Sequence, residues 1–128
     1  MIEPSVEAGG ESVARTPKRT RNRPGRGGPR YSVYVVELHR EAVPARFARA
    51  PVKGCVYVGQ TVRTPEDRFA QHMKGGRLAN TKVYKYGVRL RPDLYGAWNP
   101  FDTRREAEQA EEALAMELEK RGYVVFWG

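Results

Sequence analysis

A chain of 128 residues, 40% of them hydrophobic, has room for one domain with one modest core. Its formal charge of +8 and pI near 9.9 point to a polyanionic partner, with nucleic acid ahead of an anionic membrane surface. The single cysteine, Cys55, excludes an intramolecular disulfide and argues against a cysteine-based zinc site. The apolar stretches are too short to span a bilayer, and the first residues lack the apolar core of a signal peptide. A soluble protein in a reducing compartment is expected. Arg outnumbers Lys 17 to 6, and Ala and Gly are plentiful, which suits a bacterial or phage source and a cytoplasmic or nucleoid-associated location.

Residues 1–30 show no hydrophobic period, and Arg15 to Arg30 is dense in Arg, Gly and Pro. Seven cations against three glutamates leave this segment at +4. Such a composition cannot bury enough apolar surface to offset its ordering entropy. The expectation is a disordered basic arm, either a solvated tail or a salt-sensitive phosphate binder. The folded domain is then expected over residues 31–128.

Tyr31–Leu38 is rich in β-branched and aromatic residues and reads as a strand. His39–Gly54 carries two prolines and many charges and reads as a loop with room for a helical turn. Cys55–Val58 is a second strand, ended by Gly59, most simply antiparallel to the first. Thr64, Pro65 and Asp67 are start signals for a helix that runs to Lys74 and stops at Gly75-Gly76. Asn80–Tyr86 suits a short helix or irregular backbone. Val88–Arg91 reads as a third strand ended by Pro92, followed by a loop over 93–100. A last helix is expected from Asp102 or Thr103 to Arg121, stopped by Gly122, with Tyr123–Trp127 as a short strand or packed extension. No internal repeat is visible.

Helical geometry singles out Glu111. At about 100° per residue, Ala107, Ala110, Leu114 and Leu118 share one face, and Glu111 falls inside that stripe. The other glutamates of the helix fall on its flanks or outer side. A carboxylate in an apolar stripe needs a partner, which a salt bridge, a metal or an acid/base role would each supply. Arg68 and His72 are four apart and lie on one helical face. Arg offers a fork suited to phosphate, and His can donate to phosphate or exchange a proton. Phe69 and Met73 on the neighbouring face would anchor that helix. Tyr34 and Tyr57 sit within apolar strands, as core residues also would, and Gly59 permits close approach of a ligand backbone.

In chain order, Ser32-Val33-Tyr34, Tyr57-Val58-Gly59, Arg68-x-x-x-His72 and Glu111 resemble the motifs of the GIY-YIG nuclease superfamily. The resemblance runs from Tyr31 to Tyr123. The superfamily includes a phage homing endonuclease, the N-terminal domain of the bacterial excinuclease C subunit and some restriction enzymes. It implies an α+β fold, a small three-stranded antiparallel sheet flanked by helices, which agrees with the elements above. It also implies a metal-dependent endonuclease that hydrolyses DNA phosphodiesters, with RNA as the other polymer to consider.

By the same resemblance, Tyr34 and Tyr57 match the tyrosines of the first two motifs. Arg68 matches the catalytic arginine, and His72 a frequent companion. Glu111 matches the carboxylate that holds one Mg²⁺ or Mn²⁺ at the 3′ leaving oxygen. Tyr34 would then orient or deprotonate the attacking water with help from His72, Tyr57 would position water or phosphate, and Arg68 would hold a non-bridging oxygen. Gly59, Lys74, Arg77, Lys82 and Lys85 are the expected nucleic-acid contacts, with Tyr84 and Tyr86 as stacking partners.

Three departures stand out. Ser32 replaces the first glycine, 22 residues separate Tyr34 from Tyr57, and Val124 stands where the family often has Asn, with Asn80 and Asn99 elsewhere. They keep open a degenerate member that binds nucleic acid without cutting it. The arm keeps open a small basic interaction protein acting through its first 30 residues. Selectivity for a substrate would fall to the arm or to a partner protein.

Overall fold

The apolar run after Tyr31 forms strand β1 (Ser32–Leu38), and Val33 to Val36 are all buried. That continuous burial suits a strand covered on both faces. The description rests on a computed structural model and covers residues 30–128. The basic arm expected over 1–30 therefore lies outside the described residues, Arg30 excepted.

Strand β2 (Gly54–Thr61) pairs antiparallel with β1, and the register sets Tyr34 opposite Gly59 and Val36 opposite Tyr57. Directly paired residues point to the same side, so Tyr34 and Tyr57 share one face of the sheet. The intervening segment contains two 3-10 turns, Arg40–Ala42 and Ala45–Phe47, with Ala42 buried.

Helix α1 (Pro65–Lys74) starts as its sequence signals require. Thr64 Oγ1 accepts the Asp67 N–H at 3.0 Å, and Gly75, at φ 86°, ends the helix. The stretch left open between helix and irregular backbone is helix α2 (Thr81–Tyr86), capped by Asn80, whose Oδ1 accepts the Val83 N–H at 3.2 Å. Strand β3 (Gly87–Leu90) pairs antiparallel with β1. The expected loop after it instead holds helix α3 (Pro92–Tyr95) and a 3-10 turn at Gly96–Trp98. Pro92 ends the strand but also opens the helix, where its fixed φ is favourable, and Tyr95 is buried.

Helix α4 (Arg104–Lys120) begins with a full capping box between Thr103 and Glu106. It buries Ala107, Ala110, Glu111, Leu114 and Leu118, the stripe expected from periodicity, and Ala115 besides. Burial of Leu114 and Leu118 contributes roughly 2 kcal/mol each. The tail then forms strand β4 (Tyr123–Trp127).

The sheet order is β3-β1-β2-β4, and β4 runs parallel to β2. The expectation of three antiparallel strands is corrected here: there are four, in a mixed sheet. The cause is α4, which lies against β1, β2 and β4. It returns the chain across the sheet, so the β-branched and aromatic tail enters in the direction of β2. Where β3 stops short of the start of β1, an amide stands in for it. Asn99 Oδ1 accepts the Val33 N–H at 2.7 Å, and its Nδ2 donates to the Val33 carbonyl at 2.8 Å.

Candidate active site

Tyr34 is 1% exposed, and the reason its ring fits lies directly across the strand pair. A Cβ at position 59 would stand 2.6 Å from the Tyr34 hydroxyl oxygen, so only glycine leaves room for the phenol. The space over Gly59, expected to admit a ligand backbone, is filled by Tyr34.

Three aromatic rings meet at this point. Ring centroids are 6.2 Å apart for Tyr34 and Tyr57, 6.0 Å for Tyr34 and His72, and 6.0 Å for Tyr57 and His72. His72 is wholly buried, and its Nε2 lies 2.8 Å from the Tyr34 hydroxyl. Its other nitrogen, Nδ1, accepts the main-chain N–H of Asn80 at 2.8 Å. A nitrogen that accepts carries no proton, so the proton of the neutral ring is on Nε2. His72 therefore donates to the Tyr34 oxygen. Burial, and then the charge of Arg68, push the His72 pKa down to about 4, so the ring is neutral near pH 7.

Arg68, on the same face of α1, donates from Nη1 to Gln71 Oε1 and to the Leu78 carbonyl, the latter at 2.9 Å. Both bonds come from one nitrogen, and its charge reaches Tyr34, Tyr57 and His72. Phe69 is half-buried beside it, whereas Met73, expected as a core anchor, is exposed.

Glu111 is 7% exposed and has no ion pair with another described residue. Burial raises its pKa, the Gly128 N–H partly offsets this, and Glu108 adds to the rise. Its charge acts on both tyrosines. Tyr57 donates to the Gly128 carbonyl at 3.3 Å, so the end of β4 adjoins both residues. Burial first, then neighbouring Tyr57, holds the Tyr34 pKa well above its usual value, while Arg68 pulls it back. Tyr57 is raised by burial and by Glu111.

Tyr34, Tyr57 and His72 are thus grouped ring against ring, the charge of Arg68 acts on all three, and that of Glu111 acts on the two tyrosines. Of the expected nucleic-acid contacts, Lys74, Arg77 and Lys85 are exposed. Lys82 is half-buried, with its ammonium 4.5 Å above the Phe126 ring. Tyr84 is exposed, but Tyr86 is half-buried beneath Lys82 and Lys85. Two participants were not anticipated, Asn80 and Gln71. Asn80 is visible in sequence as the residue before Thr81 with an N-cap side chain, and Gln71 as the i+3 neighbour of Arg68.

Glu111 fits a divalent ion. It is a carboxylate at the cluster with no cationic partner among the described residues, and Mg²⁺ is commonly held by one or two carboxylates with water completing its shell. No set of three or more His, Cys, Asp or Glu residues able to hold a metal occurs among the described residues.

A family model described as GIY-YIG catalytic domain matches residues 31–123. The chain belongs to the GIY-YIG family. Membership brings nuclease-type activity in general and a nucleic-acid substrate, in a family that is generally dependent on divalent metal. No curated protein and no solved structure gives a significant match. Among the described residues, no helix is long and apolar enough to cross a membrane.

Proposed function

We propose that this GIY-YIG domain is a metal-dependent endonuclease that hydrolyses DNA phosphodiester bonds. The observation that carries the reading is the convergence of opposite charges. Arg68 and the buried Glu111, which has no ion-pair partner among the described residues, both act on Tyr34 and Tyr57. Phosphodiester hydrolysis needs positive charge at the phosphoryl group and an oriented water, which Arg68, a metal on Glu111 and the two phenols would supply.

Arg68 would hold a non-bridging phosphate oxygen with the nitrogens that Gln71 and Leu78 leave unused. Glu111 would hold one Mg²⁺ or Mn²⁺, which when bound supplies positive charge to the phosphate and its leaving oxygen. Tyr34 would orient the attacking water and, as the phenolate left once its own proton has passed to solvent, take the water's proton. A buried phenol resists ionising, so its base form needs help. His72 gives that help as a hydrogen-bond donor to the Tyr34 oxygen, and Arg68 gives it as a nearby charge. Tyr57 would place the water or phosphate. The arm over residues 1–30 would add salt-dependent affinity, and the arm or a partner protein would supply selectivity.

One observation favours a second reading, a family member that binds nucleic acid without cutting it. Val124 is packed in the core where the family often has Asn, and the Asn99 and Asn80 side chains are engaged with Val33 and Val83. Incubation of the protein with supercoiled plasmid and branched DNA decides between them. The endonuclease reading predicts nicking with Mg²⁺ or Mn²⁺, abolished by chelation and restored by added metal. Binding with no nicking under any metal selects the second reading.

A further inference from the structure

From Arg68 to Pro92 the chain has seven Lys and Arg residues and no Asp or Glu. Arg89 and Arg91 are paired with Glu37 and Asp93, and Lys82 rests over Phe126. Lys74, Arg77 and Lys85 remain exposed. Interleaved with them are exposed apolar side chains: Met73, Leu78 and Tyr84. A solvated cationic face has no need of these, whereas a surface for nucleic acid uses cations for phosphates and apolar groups for bases.

Leu78 is the outlier. At 63% exposure it is the most open large apolar side chain among the described residues, and it sits in the turn between α1 and α2. That turn is held firmly. The Leu78 carbonyl accepts from Arg68 Nη1 at 2.9 Å, Ala79 N–H donates to the Gly76 carbonyl at 3.2 Å, and Asn80 N–H donates to His72 Nδ1 at 2.8 Å. The exposed side chain thus belongs to the residue whose carbonyl touches the phosphate-holding arginine. Bases on one strand are stacked roughly 3.4 Å apart, so a phosphate on Arg68 would bring base steps close to this turn.

The geometry points to Leu78 as a wedge that opens a base step next to the phosphate held by Arg68. Arg77 and Lys74 neutralise the flanking phosphates, and Tyr84 offers a face for the displaced base. Apolar side chains inserted between bases pay an unstacking cost, which is least where pairing is already lost. The substrate class is therefore duplex DNA distorted at the cut: a mismatch, a bulge or the base of a flap. The inference rests on the nuclease reading, in which Arg68 holds the phosphate.

The test uses binding, so it does not depend on cutting. Full-length Glu111→Ala protein is titrated into short duplexes with 2-aminopurine beside a central pair, matched or mismatched. The expected result is a fluorescence rise on binding and about tenfold tighter binding of the mismatched duplex. Adding Leu78→Ala should remove the rise and bring the preference to within about twofold, while Leu78→Phe should keep both. An unchanged rise and preference with Leu78→Ala overturns the wedge alone. Failure to bind any duplex overturns the wedge together with the nucleic-acid reading.

Discussion

His72 presents its Nε2–H to the Tyr34 hydroxyl oxygen at 2.8 Å because its Nδ1 is already taken by the Asn80 N–H. The ring is therefore a donor that favours the phenolate, not an acceptor of the phenol proton. A glutamine can also offer one acceptor and one donor. Nicking by His72→Gln should stay within roughly fivefold of wild type, while His72→Ala falls by ten- to a hundredfold, the worth of one buried hydrogen bond. Equal losses in the two variants would show that the ring exchanges protons.

The same histidine makes stability depend on pH. Its folded pKa of about 4 lies below the ordinary 6.5, so the unfolded chain binds more protons between those values. Stability is fully present above about 6.5 and is lost as pH falls toward 4, by at most about 3 kcal/mol. Urea midpoints measured across this range should fall for wild type and fall less for His72→Gln. The rate of nicking should show no inflection near pH 6.5, since the folded ring stays neutral there.

Gly59 makes room for the phenol of Tyr34. In Gly59→Ala the new methyl would lie 2.6 Å from the Tyr34 oxygen, which burial and His72 hold in place. The expected cost is about 1–3 kcal/mol, as for other overpacked cores, with a loss of nicking larger than the loss of folded protein. A variant with unchanged melting temperature and activity would show that Tyr34 can swing aside freely.

Val124 is 7% exposed and packs with the core. Val124→Asn would bury an amide at this position, at a cost of roughly 1–3 kcal/mol. It should lower the melting temperature without raising activity. A gain in nicking would instead mean that the missing amide limits catalysis.

What could be read from sequence was what is local. The stripe of α4 with Glu111 inside it, the cap of α1, the start of α4 near Thr103, and the shared face of Arg68 and His72 all follow from periodicity and spacing. Tyr123–Trp127 could be read as a short strand or packed extension, but its place in the sheet was hidden because the pairing with β2 joins residues far apart, Gly54 with Tyr123 and Tyr57 with Phe126. Helix α2 was ambiguous because six residues are too few to show a period. Spacing put His72 on the face of Arg68, but not that it turns inward to Tyr34 while Arg68 stays partly exposed. That division depends on how α1 docks on the sheet. The tautomer of His72 depends on an Asn80 main-chain N–H, which no side-chain pattern encodes.

In the proposed function Glu111 and Arg68 serve one hydrolytic centre. Its most direct test is single-turnover cleavage of plasmid DNA in Mg²⁺ or Mn²⁺ by wild type and Glu111→Ala, with DNA binding and melting temperature measured on both. Glu111→Ala is expected to fold and bind DNA but to cut at least about a hundredfold more slowly. Cutting by Glu111→Ala at the wild-type rate would contradict it.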